Sequence, residues 1–391
     1  MFSLYQTTDG MIGVCVLLVR LGLVIMMMFA GSSWLFAQGP LRPRGPARLA
    51  VYYGYPSLVN QSAGAVEKAV RVFSGYDVVV LGDGVEFPDQ QPGRSPEGDP
   101  AEHRKTVQII AAAKRRNPRT HFYGYVCLGD IPGSAPEKKL LSARELRERI
   151  LLWKRMGVAG VFLDEAGYDW PGVDRERQNM AVRYIHELGL SAFPNAFYPE
   201  ELFSLDDLRG KNPRHLPPAL DRRDLFLLES FQVKNGEYED AAEWQQRLLP
   251  ALKYRQQYGS RIFVTTTYAE KESFRPDKFN YAWWSAWLYD LDGFSWGEPN
   301  FAAVSGMLPD RLCHSAERLL SGAMLKDLQP PLSAGSDGLR FWRQAGASLV
   351  VIDSRDHSVR LVSSPAPHEA GEALGHESLP PAVTFDCGAI Q

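Results

Sequence analysis

From residue 49 the chain alternates short apolar runs with longer amphipathic ones. The short runs are LAVYYGY (49–55), DVVVLGD (77–83), HFYGYVCLG (121–129), GVFLDEAG (160–167), LSAFPNA (190–196), LFLLESF (225–231), RIFVTTTY (261–268) and LDGFSWGE (291–298). Each is rich in β-branched or aromatic residues and continuously apolar, as a parallel strand covered on both faces requires. The segments between them are helical in period. HRKTVQIIAAAKRRNP carries its stripe at Val107, Ile110 and Ala111 and stops at Pro118. SARELRERILLWKRMG opens with a capping box, Ser142 and Glu145, and closes at Gly157. DRERQNMAVRYIHELG has Asp174 as its N-cap and ends at Gly189. AGAVEKAVRVFSGY, AAEWQQRLLPALKYRQQYG and KFNYAWWSAWLYD follow the first, sixth and seventh runs. Only the proline-rich stretch 197–224 is irregular, with room for one short helix. Eight strands alternating with helices predict a (β/α)8 TIM barrel.

The pattern changes near residue 299. FAAVSGMLPDRLCHSAERLLSGAM is helical in period and would close the barrel. Residues 338–362 then alternate with period two around turns at AGA and SRDH, predicting a three-stranded meander, and 363–391 form a Pro/Gly/Ala-rich tail. At the other end, residues 11–37 are apolar apart from Arg20 and a few small polar residues. They read as a signal peptide or, uncleaved, a membrane anchor, so the protein is expected to be exported to the periplasm, cell surface or exterior. The expected plan is 1–37 export segment, 38–48 linker, 49–325 barrel, and 326–391 small C-terminal β appendage and tail.

Charge narrows the function. There are 43 basic and 46 acidic residues, a net charge of −3, and no basic run long enough to follow a nucleic-acid backbone. The four cysteines, Cys15, Cys127, Cys313 and Cys387, do not make a disulfide framework, although Cys313 and Cys387 could pair. The His residues lack metal-ligand spacing and the strand ends lack a Gly-rich phosphate cradle, so no metal and no cofactor are expected. That absence of His ligands also argues against a metal-dependent deacetylase. Nine Trp, 16 Tyr and 19 Phe include many at strand ends. Most must fill the core, but aromatic faces there also suit sugar rings.

In a (β/α)8 barrel the chemistry sits at the C-terminal ends of the strands. Those positions are Tyr53 and Tyr55, Asp83, Tyr125, the group Asp164, Glu165 and Asp169, Asn195, Glu229, Thr266 and Tyr268, and Trp296 and Glu298. Asp164 and Glu229 each end an apolar run directly, and alternation puts Asp164 with Phe162 and Glu229 with Leu225 and Leu227. A carboxylate there is costly unless partnered. Glycoside cleavage uses two, one to protonate the leaving oxygen and one to attack or to activate water. Either could instead cap a helix or pair with an Arg.

YYGY on the first strand, GYVCLGD on the third, GVAGVFLDEAGYD on the fourth, FPNA on the fifth and LLESF on the sixth resemble the endo-α-1,4-polygalactosaminidase class. That class is glycoside hydrolase family 114 with its spherulin-4-like relatives. Trp153, Lys154, Gly157 and Val158 before Phe162–Glu165 match the bacterial spherulin-4-like form. The resemblance spans roughly residues 49–300. It implies an acidic catalytic pair at Asp164 and Glu229, with Tyr53, Tyr55, Asn195 and Tyr268 as substrate contacts. Asp83, Tyr125, Glu165, Asp169 and Trp296 join them as expected substrate-binding positions on the rim. By analogy with other barrel glycosidases, Asp164 would be the nucleophile and Glu229 the acid/base. The expected function is cleavage of a polysaccharide, amino-sugar-containing by the resemblance; the alternative is a catalytically silent polysaccharide-binding barrel at the cell surface.

Overall fold

The structure, a computed structural model, describes residues 45–82, 84–89, 99–129, 140–267, 275–297, 332–333, 339–345 and 348–363. The first half runs β1 (Ala47–Tyr52), α1 (Val66–Phe73), β2 (Val78–Leu81), α2 (Pro100–Arg116), β3 (His121–Cys127), α3 (Ala143–Met156), β4 (Gly160–Asp164) and α4 (Arg175–Glu187). The second half continues with β5 (Ser191–Pro194), α5 (Glu200–Phe203), β6 (Leu225–Leu228), a hairpin of β7 (Val233–Lys234) and β8 (Glu237–Tyr238), α6 (Ala241–Tyr258), β9 (Arg261–Thr265), α7 (Pro276–Leu288) and β10 (Gly293–Ser295). Eight parallel strands pair in the order β5-β4-β3-β2-β1-β10-β9-β6. A parallel bridge between Asn195 and Leu227 joins the two ends of that order, so the sheet closes on itself. The fold is the (β/α)8 barrel that the alternation predicts.

Local chemistry fixes the helix limits. The Ser142 hydroxyl accepts the Glu145 N–H at 3.3 Å while the Glu145 carboxylate takes the Ser142 N–H at 2.9 Å. Gly157 ends α3 at φ +86°, a left-handed conformation that costs glycine nothing. Asp174 caps α4 by accepting the Arg177 N–H at 2.7 Å.

The strands alternate faces with period two. Val51, Val80, Phe162, Phe193, Leu227 and Phe263 point inward and fill the barrel. Tyr52, Val79, Leu163, Phe226 and Val264 point outward under the helices. Each such side chain contributes roughly 1.5–3 kcal/mol by leaving water. At the N-terminal end, the buried Asp224 accepts N–H bonds from Ala192 and Asp221, both at 2.8 Å, and bonds His186 Nε2 at 2.9 Å. His186, Asp221 and Asp224 have metal-like spacing among the described residues, yet these bonds make Asp224 a clamp joining β5, β6 and α4.

β11 (Leu332–Ser333), β12 (Arg340–Ala345), β13 (Ser348–Asp353) and β14 (Ser358–Ser363) form an antiparallel sheet, one short strand more than the expected meander. It seals the outer face of α7. Arg343 Nη1 donates to Trp287 O at 2.6 Å, and the Tyr281 and Ser354 hydroxyls bond at 3.1 Å. The expected export segment, linker start, closing helix, C-terminal tail, and Cys15, Cys313 and Cys387 lie outside the described residues. Among the described residues no helix is long and apolar enough to cross a membrane.

Candidate active site

Asp164 is the last residue of β4 and Glu229 the first after β6. Between them, at the end of β5, stands Asn195, 7% exposed. Its amide nitrogen donates to Asp164 Oδ1 at 2.8 Å and also to Glu229 Oε1. One NH2 group therefore serves both carboxylates. Two hydrogen bonds diverging at about 120° from one nitrogen leave their acceptor oxygens roughly 4–5 Å apart. Asn195 Oδ1 is buried with no hydrogen-bond partner.

The other strands complete the mouth. The Tyr125 hydroxyl, on β3, faces Asp164 closely enough to favour its charged form. Tyr53, one residue past β1, sets its ring edge-on to Tyr125 at 5.3 Å. Tyr125 is placed from behind, because the buried Trp153 of α3 donates its indole N–H to Tyr125 O at 2.9 Å. The Trp153 ring lies directly on Gly124, where a Cβ would stand 1.9 Å from a ring carbon. Glu165 adopts φ +54° and donates its N–H to Asp164 Oδ1 at 3.0 Å. Its carboxylate accepts the Cys127 thiol at 3.0 Å.

Electrostatics separates the pair. Burial, reinforced by the Asp164 charge, pushes the Glu229 carboxyl up to about 8. Burial also raises Asp164, but the Asn195 amide, the Tyr125 hydroxyl and the Glu165 N–H oppose the rise. The Tyr53 and Tyr125 hydroxyls, buried among carboxylates, are held well above the usual phenol range and stay protonated donors. Burial and Glu165 likewise keep Cys127 a thiol.

The structure thus gathers Tyr53, Tyr125, Asp164, Glu165, Asn195 and Glu229. Asp169 is exposed beside them, close enough for its charge to act on Glu229. Tyr55 is 40% exposed beyond the strand end. Trp296 corrects its expected place on the rim. It is 6% exposed, and its ring packs against Phe279 of α7 at 5.6 Å, in the layer between strands and helices. Its strand face is that of Phe294, which also points outward. Thr266 spends its hydroxyl on the Gly297 N–H at 2.9 Å. Asp83, Tyr268 and Glu298 lie outside the described residues.

Sequence reasoning missed Arg247, 1% exposed, beneath the Glu229 segment. The signal was present: Trp244, Arg247, Leu248 and Ala251 form an i, i+3, i+4, i+7 stripe with an arginine in an apolar position.

No protein-family model and no curated protein matches this sequence. Solved structures that it resembles in fold include the endoglucanase Cel5A of Pseudomonas stutzeri, at 13% identity over 73% of this chain and 100% of that one, with a TM-score of 0.43. A GH39 enzyme from Xanthomonas axonopodis pv. citri gives 11% identity over 81% and 73%, TM-score 0.43. Rhizobium etli pyruvate carboxylase gives 10% over 68% and 24%, TM-score 0.37. Glycoside hydrolases and a carboxylase thus share this likeness, and at this level it carries no argument about activity.

Proposed function

We propose that this protein is a retaining glycoside hydrolase in which Asp164 is the nucleophile and Glu229 the acid/base. The observation that carries this reading is the single Asn195 amide donating to both carboxylates. Its geometry supports facing oxygens roughly 4–5 Å apart, close enough for direct attack on the sugar; an inverting pair stands about 6.5–9.5 Å apart to admit a water. Burial and charge support the division of roles. Glu229, protonated up to about pH 8, can give its proton to the glycosidic oxygen as the Asp164 carboxylate bonds to the anomeric carbon. The leaving sugar departs as an alcohol. A water then attacks the same carbon, Glu229 takes its proton, and the Asp164–sugar bond breaks to regenerate both groups. Asn195 and the Glu165 N–H hold Asp164 in place for attack, and the Tyr125 hydroxyl beside it favours the charged form.

The substrate we infer is a polysaccharide carrying amino sugars. Asp164, Glu165 and Asp169 converge on one mouth around the protonated Glu229, and their negative charges act together on Glu229 and Tyr53. A protonated sugar amine would offset those charges, and the motifs of the polygalactosaminidase class point the same way. We place the enzyme outside the cytoplasm on the strength of the apolar segment 11–37. Partially deacetylated α-1,4-galactosaminoglycan should yield oligosaccharides by mass spectrometry, and neither Asp164→Asn nor Glu229→Gln should do so. Binding without cleavage would instead assign the protein as a polysaccharide-binding barrel.

A further inference from the structure

β6 and β9 pair in register up to Leu228 opposite Val264. The ladder then skips. The next bond is Phe231 N–H to Thr265 O at 2.9 Å, where an unbroken ladder would use Ser230 N–H, so Glu229 and Ser230 together stand opposite Thr265 and β6 carries one extra residue. Such a bulge re-aims a side chain. Ser230 lies at φ +53°, a left-handed conformation unfavourable to any residue with a Cβ. Something must hold it.

Arg247 reaches the bulge from α6. Its Nη1 donates to Glu229 O at 2.6 Å and its Nη2 to Ser230 O at 3.1 Å. Nη2 also pairs with the Glu239 carboxylate, and Glu239 is buried as well. The Phe197 ring lies 4.3 Å from the guanidinium carbon. The fork thus satisfies both bulge carbonyls, which lie beyond the strand pairing, and its planar donors suit two adjacent acceptors as a lysine would not.

We propose that Arg247 is the positioning residue for Glu229: its guanidinium fixes the bulge that aims the Glu229 carboxyl into the barrel, and its buried pairing with Glu239 sets the charge that carboxyl faces. Glu229 is faced by Asp164 and Asp169 from β4 and its loop, Tyr53 after β1, the Asn195 amide after β5 and Arg247 from α6. Arg247 is the cation in that set, lowering Glu229 against burial and the two aspartates. Glu239 is faced by Arg247, Lys234 and Glu243. The role rests on the proposed acid/base function of Glu229, but the claim itself concerns a carboxyl that titrates whether or not substrate turns over.

The test is an NMR titration of the full chain carrying 13C-carboxyl glutamate, with the Glu229 signal identified by its loss in Glu229→Gln. Removing the cation in Arg247→Met should raise the Glu229 midpoint by about one pH unit, and neutralising its partner in Glu239→Gln should lower it by a similar amount. The double variant Arg247→Met/Glu239→Met should return it toward the parent value. Replacing a buried ion pair by apolar residues of similar volume is tolerated, so this variant keeps the test open if Arg247→Met alone does not fold. On a cleaved substrate, Arg247→Lys should lower kcat about a hundredfold with KM nearly unchanged, as a misaimed carboxyl would. Midpoints that coincide, or that move the same way in Glu239→Gln and Arg247→Met, would overturn the proposal. A parent protein that cleaves no glycoside overturns the hydrolase function and leaves the titration to decide the role of Arg247.

Discussion

A carboxyl that is protonated at neutral pH because of its surroundings burdens the fold as well as equipping it. Glu229 ionises near 4.5 when unfolded and about 8 when folded. The folded state therefore binds its proton more tightly, and the protein loses stability as pH rises between those values. Glu229→Gln carries no such charge. It should match the parent in melting temperature below about pH 4.5 and exceed it increasingly up to about pH 8, by a few kcal/mol at most. Calorimetry across that range checks it; equal melting temperatures at pH 9 would contradict it. The same groups predict a bell-shaped pH–rate profile, with a basic limb near 8 from Glu229 and an acid limb from Asp164. Because the Asn195 amide lowers Asp164, Asn195→Ala should move the acid limb upward and cut kcat about a hundredfold. Period two made most of this site legible in the sequence: Tyr53, Tyr125, Asp164 and Asn195 share inward faces with Val51, Tyr123, Phe162 and Phe193. The same period places Trp296 outward with Phe294, and nearness to the strand end misled. Arg247 was harder to find, because the bulge it holds exists only when β6 meets β9.

At the scale of elements, the contact between α3 and β3 shows how a motif far from the chemistry serves it. Trp153 lies flat on Gly124 and bonds the Tyr125 carbonyl, so the helix sets the strand residue that faces Asp164. The spacing of Trp153 and Gly157 is then packing chemistry, one residue filling the strand's glycine gap and the other ending the helix. Gly124→Ala would drive a methyl into the indole. It should destabilise the protein by about 1–3 kcal/mol and lower activity in the fraction that stays folded. Chemical denaturation reads the first effect, and an unchanged midpoint would contradict it. Helix limits were legible because caps are local: Ser142, Gly157 and Asp174 act on neighbouring backbone. The hairpin β7–β8 was equally local. Asn235 and Gly236, at φ +51° and +83°, form the two-residue turn that Asn-Gly favours. Its strands are two residues each, too short to stand out as periodic runs.

At the scale of the molecule, the C-terminal sheet belongs to the barrel's fold. Phe341 is 4% exposed and sets its ring 5.4 Å from Trp244 of α6 and 6.0 Å from Tyr289 after α7. Trp244 lies one turn before Arg247, so this sheet supports the helix that reaches the Glu229 bulge. Phe341→Ala should cost about 3–5 kcal/mol and lower the single unfolding transition as a whole. Separate transitions for sheet and barrel would contradict that. The alternation that revealed the barrel could not reveal this docking, since a period gives a buried face without naming its partner.

The central claim, that Asp164 attacks and Glu229 donates and accepts the proton, is tested most directly by trapping. On an aryl galactosaminide with an activated leaving group, Glu229→Gln should form a glycosyl-enzyme rapidly, visible by intact-protein mass spectrometry on Asp164, and azide should restore turnover by attacking it. Asp164→Asn should form none. A glycosyl-enzyme that accumulates in Asp164→Asn and is absent from Glu229→Gln would reverse the roles. Its absence from both, with the parent still active, would contradict the double-displacement mechanism.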